Sequence, residues 1–172
     1  MELMDAIITR RSIRKFKNIE VPDNYVDEIL KAAMYAPSAR NYQPWLFIVI
    51  NDRGVLNKIP HVHPYAEMVY EAALAILVCG DRKIEKMDEY IAIDCAAATQ
   101  NLLLSAHNLG LGAVWLGVYP REKRMAGLSD LVKLPENVIP ISLVALGYPG
   151  EEITAPERYN RDKIYFNTWG KK

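Results

Sequence analysis

The chain has 172 residues, 51% of them hydrophobic, which suits one domain with a sizeable core, or one subunit of an intertwined oligomer, and excludes disorder. Lysine plus arginine and aspartate plus glutamate both number 21, a net charge of +0. That balance excludes a protein built as a whole to sit on nucleic acid or anionic lipid, so any anion site has to be local. No apolar run reaches the roughly 18 residues a bilayer span takes. The start, MELMDAIITRR, lacks the basic-then-apolar layout of a signal peptide. Cys79 and Cys95 form no CxxC pair and read as buried free thiols of a reducing compartment, so the expected location is the cytoplasm.

In chain order, a first helix is predicted over residues 2 to 9. The next eight-residue stretch, TRRSIRKF, gathers Arg10, Arg11, Arg14 and Lys15 around Ser12. A second helix runs from Asp23 to Tyr35, with Val26, Ile29, Leu30, Ala33 and Met34 on one stripe, Asp23 as N-cap and Pro37 as stop. WLFIVI (45–50) and LAILVCG (74–80) read as buried strands. Between them lie a proline-punctuated loop, 54–66, and a short helix near 65–72. Asp88 to Leu109 is the longest helix, apolar nearly all round and hence central. AVWLGV (113–118) is a third strand, REKRMAGLSDLVKL a short surface helix, and VIPISLVALG (138–147) a fourth strand. The last 22 residues hold Ile164, Tyr165, Phe166 and Trp169, too many large apolar groups for a free tail, and are expected to pack on something such as a second subunit. The class is α+β, one domain over 1–172, a small sheet with helices around it.

Two constellations carry chemical potential. RRSIR offers backbone N–H groups, a hydroxyl and guanidinium forks within one turn, the groups a phosphate wants, although a solvated basic helix end explains the spacing as well. APSARNYQPW (36–45) has two prolines, Ser38, Asn41 and Gln43, more hydrogen-bonding and rigidity than a helix-to-strand connection needs. Loops held this way suit planar polar ligands. Several other signals lead nowhere. GLGAVW has Trp where a dinucleotide fingerprint needs glycine, and it precedes a strand. HVH (61–63) has no third ligand at zinc-like spacing and reads as a surface loop, so no metal is assigned. His107 reads as a satisfied core histidine. Neither a GxSxG elbow nor a Walker A loop is present.

Together, RRSIRKF, APSARNYQPW, GLGAVWLGVYP (110–120), LVALGYPGE (143–151) and ERYNRDKIYFNTW (157–169) resemble the nitroreductase family of flavin-dependent NAD(P)H oxidoreductases. The likeness runs in order over nearly the whole chain. It implies a nitroreductase-like mixed β-sheet flanked by helices, in an intertwined homodimer with exchange of the C-terminal arm and two FMN at the subunit interface. By the family's pattern, Arg10 and Ser12 hold the FMN phosphate and ribityl chain, with Arg11 contributing and Arg158 reaching the phosphate. Arg14 addresses the N1/C2=O edge, where negative charge gathers on reduction. Pro37, Ser38, Ala39 and Asn41 match a loop that approaches the flavin from the other subunit. Leu116 and Gly117 match a segment whose N–H groups address N5 and O4.

The resemblance also implies the reaction. NAD(P)H gives hydride to flavin N5 and leaves, and a flat electron-poor acceptor, a nitroaromatic or quinone, takes the same slot in ping-pong fashion. No side chain is assigned as nucleophile or base. Two alternatives stay open: a dehalogenating or flavin-fragmenting relative, for which only 54–66 and 82–95 leave room for a lid, and an FMN-binding protein without useful turnover. The chain is short for the family. Where longer members place Asn and Lys near the flavin pyrimidine, it has Tyr65 and Met68, which face either the substrate side or the packing of their helix.

Overall fold

The computed structural model describes residues 1–171. The helices are α1 (Leu3–Thr9), α2 (Asp23–Met34), α3 (Arg53–Leu56), α4 (Ile59–Val62), α5 (Asp88–Asn108) and α6 (Glu122–Val132). The strands are β1 (Trp45–Ile50), β2 (Leu74–Asp81), β3 (Gly112–Gly117) and β4 (Val138–Gly147). They form one sheet in the order β1-β2-β4-β3.

The expectation of a mixed sheet is corrected: all three ladders are antiparallel. β2 and β3 run in the same direction after the crossover through α5, but β4 returns between them, so no parallel ladder forms. The one parallel contact among the described residues is an isolated bridge from Ser12 to Ala113 on the edge strand β3.

β2 and β4 read as continuous apolar runs because both of their faces are covered. The period of two sends Leu74, Ile76 and Val78 to one face and Ala75, Leu77 and Cys79 to the other. The first face packs with Val144 and Leu146 against Ile29 of α2 and Ile91, Cys95, Ala98 and Leu102 of α5. The second packs with Leu143 and Ala145 against Ile13, Phe16, Leu56, Ile59 and Leu128. The stretch read as a loop over 54–66 therefore holds α3 and α4, whose Leu56 and Ile59 are fully buried. The helix read near 65–72 is a single 3-10 turn, Glu67–Tyr70. Arg53 ties it down by donating to the carbonyls of Val69, Tyr70 and Ala72 at 3.1, 3.1 and 2.6 Å.

Asp23 is the first helical residue rather than the cap. Pro22 stands at the N-cap position, and no side chain caps that end. The central helix is confirmed, though it is not apolar-buried on every side: Ile93 is 65% exposed. Residues 151–171 hold a 3-10 turn at Arg161–Lys163 and a tight turn over 166–171, closed by Phe166 N–H to Lys171 O at 2.8 Å, and no other helix or strand. In this arm Tyr159, Phe166 and Trp169 are exposed, Trp169 by 87%, with a Tyr165–Trp169 ring contact at 4.3 Å. No described helix is long and apolar enough to cross a membrane.

Candidate functional site

The basic segment follows α1 along the edge of the sheet. Ile13 N–H donates to the Ala113 carbonyl at 3.0 Å. On the segment's other side, Lys17 N–H donates to Tyr148 O at 2.9 Å and Gly150 N–H to Lys15 O at 2.7 Å. Glu151 Oε1 accepts from the backbone of Arg14 (2.5 Å) and Lys15 (3.1 Å). Gly112 makes the approach possible, since a Cβ there would lie 2.8 Å from Ile13 Cγ2. The segment is thus a fixed strap between β3 and the end of β4.

The strap holds a cluster of like charges. Arg10 is half-buried, and its guanidinium is pushed below the usual arginine range first by that burial and then by the charges of Arg11 and Arg158. The fold therefore brings Arg158, 148 positions away in sequence, into the field of Arg10. Arg11 turns back to donate to the carbonyls of Ile8 and Arg10, closing the end of α1. The Nε atoms of both Arg10 and Arg11 are buried without a hydrogen-bond partner among the described residues. A buried, unpaired donor on a cation that faces two more cations is costly unless an anion completes the site. His107 stands beside this cluster. Its Nε2 lies 2.8 Å from Thr9 Oγ1, whose own hydrogen goes to Asp5 O at 2.6 Å, so Nε2 is the donor. Burial, Arg10 and Arg11 all push its pKa down. It is satisfied, as read from sequence, but half-exposed at the end of α5 rather than in the core.

Further along β3, the opposite pole begins. Ala113, opposite Ser12, and Gly117 are four residues apart, about 14 Å at strand rise. Gly117 is exposed, and a Cβ placed on it would meet no atom within 4 Å. Its φ is not positive, so neither backbone nor neighbours require glycine there. A bare Cα bordering open space is what a flat ring at van der Waals distance requires. The Gly117 carbonyl accepts from His63 Nε2 at 3.0 Å and Arg124 Nη1 at 2.7 Å, and Arg124 Cζ stands 5.2 Å from the centre of the Tyr65 ring. His63, read as part of a surface loop, is 1% exposed. The turn bounded by Pro60 and Pro64 tucks its ring under the end of β3, where both ring nitrogens find partners. No cluster of three metal-binding side chains exists among the described residues.

Of the remaining predicted residues, Leu116 is buried and Met68 is half-buried against the second core face, the packing alternative left open for it. Tyr65 is 68% exposed beside Gly117. Arg14 is exposed, and its backbone N–H is tied to Glu151. The loop with Pro37, Ser38, Ala39 and Asn41 is a separate body, anchored to α5 and its approach. Ala39 N–H donates to Asp94 Oδ1 at 2.9 Å, Gln43 N–H to Ser38 Oγ at 2.9 Å, and Arg40 pairs with Glu85. Arg40 and Asn41 hold positive φ, 54° and 56°, so this shape is imposed by those anchors. Asp94 and Arg124 escaped the sequence reading, and His63 was set aside in it as surface loop. The signal for Asp94 was there, a lone carboxylate inside IAIDCAAAT.

A cationic pole and an open glycine pole thus lie on one sheet edge, about 14 Å apart at strand rise. The chain belongs to the nitroreductase family, whose model matches residues 7–63 and 55–148. A relative from Methanothermobacter thermautotrophicus named "Putative NADH dehydrogenase/NAD(P)H nitroreductase" is 50% identical over 98% of this chain and 88% of its own. A crystal structure of a protein of the same name from Parabacteroides distasonis superposes with a TM-score of 0.93 at 38% identity, covering 97% and 98% of the two chains. An FMN-dependent nitroreductase from Clostridium difficile superposes with a TM-score of 0.89 at 30% identity, covering 96% and 99%. The chain is thus an oxidoreductase of an FMN flavoprotein family.

Proposed function

We propose that two copies of this chain, each one domain over 1–172, bind FMN between them and pass reducing equivalents from NADH or NADPH to a flat, electron-poor acceptor such as a nitroaromatic or quinone. The single observation that carries this is the cluster of Arg10, Arg11 and Arg158, with two buried, unpartnered Nε atoms on the same edge as the open Gly117.

In this reading Arg10, Arg11, Ser12 and Arg158 hold the phosphate and ribityl chain, and Arg14 reaches the N1/C2=O edge. Leu116 and Gly117 present backbone N–H groups to the N5/O4 edge. The rigid loop Pro37, Ser38, Ala39 and Asn41 comes from the second copy. Its anchors keep it in shape while leaving it free to serve a neighbour, and the exposed arm ending at Trp169 is the segment exchanged. Tyr65 lines the acceptor side, and Met68 packs beneath it. Bound FMN supplies the hydride acceptor and donor; the side chains supply charge, orientation and an accessible ring face. α3 and α4 are anchored by buried Leu56 and Ile59, which favours an open face over a closing lid, and hence this reaction over dehalogenation or flavin fragmentation.

The test is the visible spectrum of the purified protein, followed by anaerobic titration with NADPH and with NADH. A yellow protein that either donor bleaches and an acceptor re-oxidises is expected. A colourless protein that, after FMN reconstitution, oxidises neither donor with any acceptor refutes the proposal. Tight FMN binding with turnover at background leaves the cofactor site standing and removes the enzyme.

A further inference from the structure

Two side chains outside the strap converge on one backbone atom, and a third residue braces both. Gly117 ends β3 and its carbonyl receives two donors, His63 Nε2 and Arg124 Nη1. The ring of His63 is locked from its other side, where Tyr65 N–H donates to Nδ1 at 3.4 Å. That pair of bonds fixes the neutral tautomer, with hydrogen on Nε2. Burial, with the charge of Arg124 adding to it, pushes the imidazole below its ordinary pKa, in keeping with that tautomer. Arg124 is steadied in turn by the face of Tyr65, 5.2 Å away. Tyr65, His63 and Arg124 thus close a loop around a single carbonyl.

The need for such a loop follows from glycine. Gly117 has no Cβ to restrict it and is the last residue of β3; beyond it the next backbone tie to β4 is Tyr119 N–H to Ile141 O at 3.0 Å. Left alone, its peptide groups would sample several orientations. Two donors on one oxygen remove that freedom.

We propose that His63 and Arg124 are positioning residues which, braced by Tyr65, clamp the Gly117 carbonyl and so pre-set the direction of the strand-end N–H groups that meet the cofactor. The inference rests on the proposed FMN site but concerns residues the family motifs do not include. Pre-set donors bind and stabilise charge without reorganising when the ligand arrives. Clamp removal therefore loosens a glycine and weakens its donors without touching the anion pole.

The experiment uses Arg124→Met, His63→Leu and His63→Gln in the full chain, with two readouts. The first is amide hydrogen exchange at Gly117 and Val118 in the apo protein, which needs no cofactor. The second is FMN affinity, by fluorescence quenching, with the midpoint potential of the bound flavin. Arg124→Met is expected to speed exchange at these two amides, weaken FMN about fivefold to tenfold, the scale of one ordinary hydrogen bond, and move the potential to a more negative value. His63→Gln, which keeps an amide N–H for the carbonyl, restores most of what His63→Leu loses. Because both donors share one oxygen, the double variant falls short of the sum of the singles. Unchanged exchange at Gly117 and Val118 in Arg124→Met overturns the clamp, whatever happens to His63→Leu. Faster exchange with unaltered affinity and potential overturns its role toward the cofactor. If the wild-type protein binds no FMN, the functional reading fails while the exchange result still decides the clamp.

Discussion

Replacing Arg10 with methionine should move two quantities in opposite directions. In the apo protein the half-buried Arg10 guanidinium faces two other cations and keeps an unpartnered Nε. A fully buried unsatisfied donor costs about 1–3 kcal/mol. For this half-exposed group, solvent screening brings the figure to the bottom of that range, about 1 kcal/mol. Methionine keeps the apolar stem and removes the charge, so Arg10→Met should raise the apo melting temperature by roughly 2–4 °C for a chain of this size. With FMN the sign reverses. A hydrogen bond between charged partners contributes about 1.5–3 kcal/mol, and partial exposure again favours the low end, so FMN should bind about tenfold more weakly. Riboflavin, which has no phosphate, is the internal control and should bind both proteins alike. Differential scanning fluorimetry of the apo proteins and quenching titrations with the two flavins measure all of this. An apo melting temperature that falls would refute the frustrated-cation argument. So would riboflavin losing as much affinity as FMN, since the guanidinium would then be serving the ring or the fold.

Gly117→Ala should raise the apo melting temperature by about 1–4 °C, because the new methyl meets nothing within 4 Å and restricts the unfolded chain, yet weaken FMN at least tenfold by intruding on the ring. Gly80→Ala is the contrasting case: its Cβ would fall 2.0 Å from Ile91 Cγ2, and the overpacking should cost about 1–3 kcal/mol in a denaturant titration. Asp88 is held below the usual carboxylate range by its paired bonds to Arg82, at 2.9 and 2.6 Å. A carboxylate with a depressed folded pKa contributes stability above its unfolded value, about 3.9, and loses it as pH falls through the folded value. Asp88→Asn should therefore cost about 0.5 kcal/mol at pH 7 and clearly less at a pH below about 3.9, read from denaturation midpoints at the two pH values. An equal deficit at both would mean that packing, not charge, is lost.

The strands, α2 and α5 were legible in the sequence because each carries its signal locally. Period-two burial on two covered faces makes β2 and β4 continuous apolar runs, and one stripe at helical spacing makes α2. The crowding of Arg10 and Arg11 was legible for the same reason, since they are neighbours in the chain, whereas a phosphate role for them came from the family resemblance and not from spacing. Sequence missed what depends on distant segments meeting. An antiparallel order was hidden because nothing local says that β4 will insert between β2 and β3. α3 and α4 were hidden in a proline-rich stretch too short for a period to show. The clamp joins His63, Gly117 and Arg124 across 54 and 7 positions, and Arg158 reaches Arg10 across 148. A residue's type and spacing determine which local structure it favours, whereas the field it feels and the atom it bonds depend on which other parts of the chain the fold sets beside it. Only the tertiary structure turned a run of arginines into a cluster with buried, unpartnered Nε atoms, and a histidine in a loop into a buried donor.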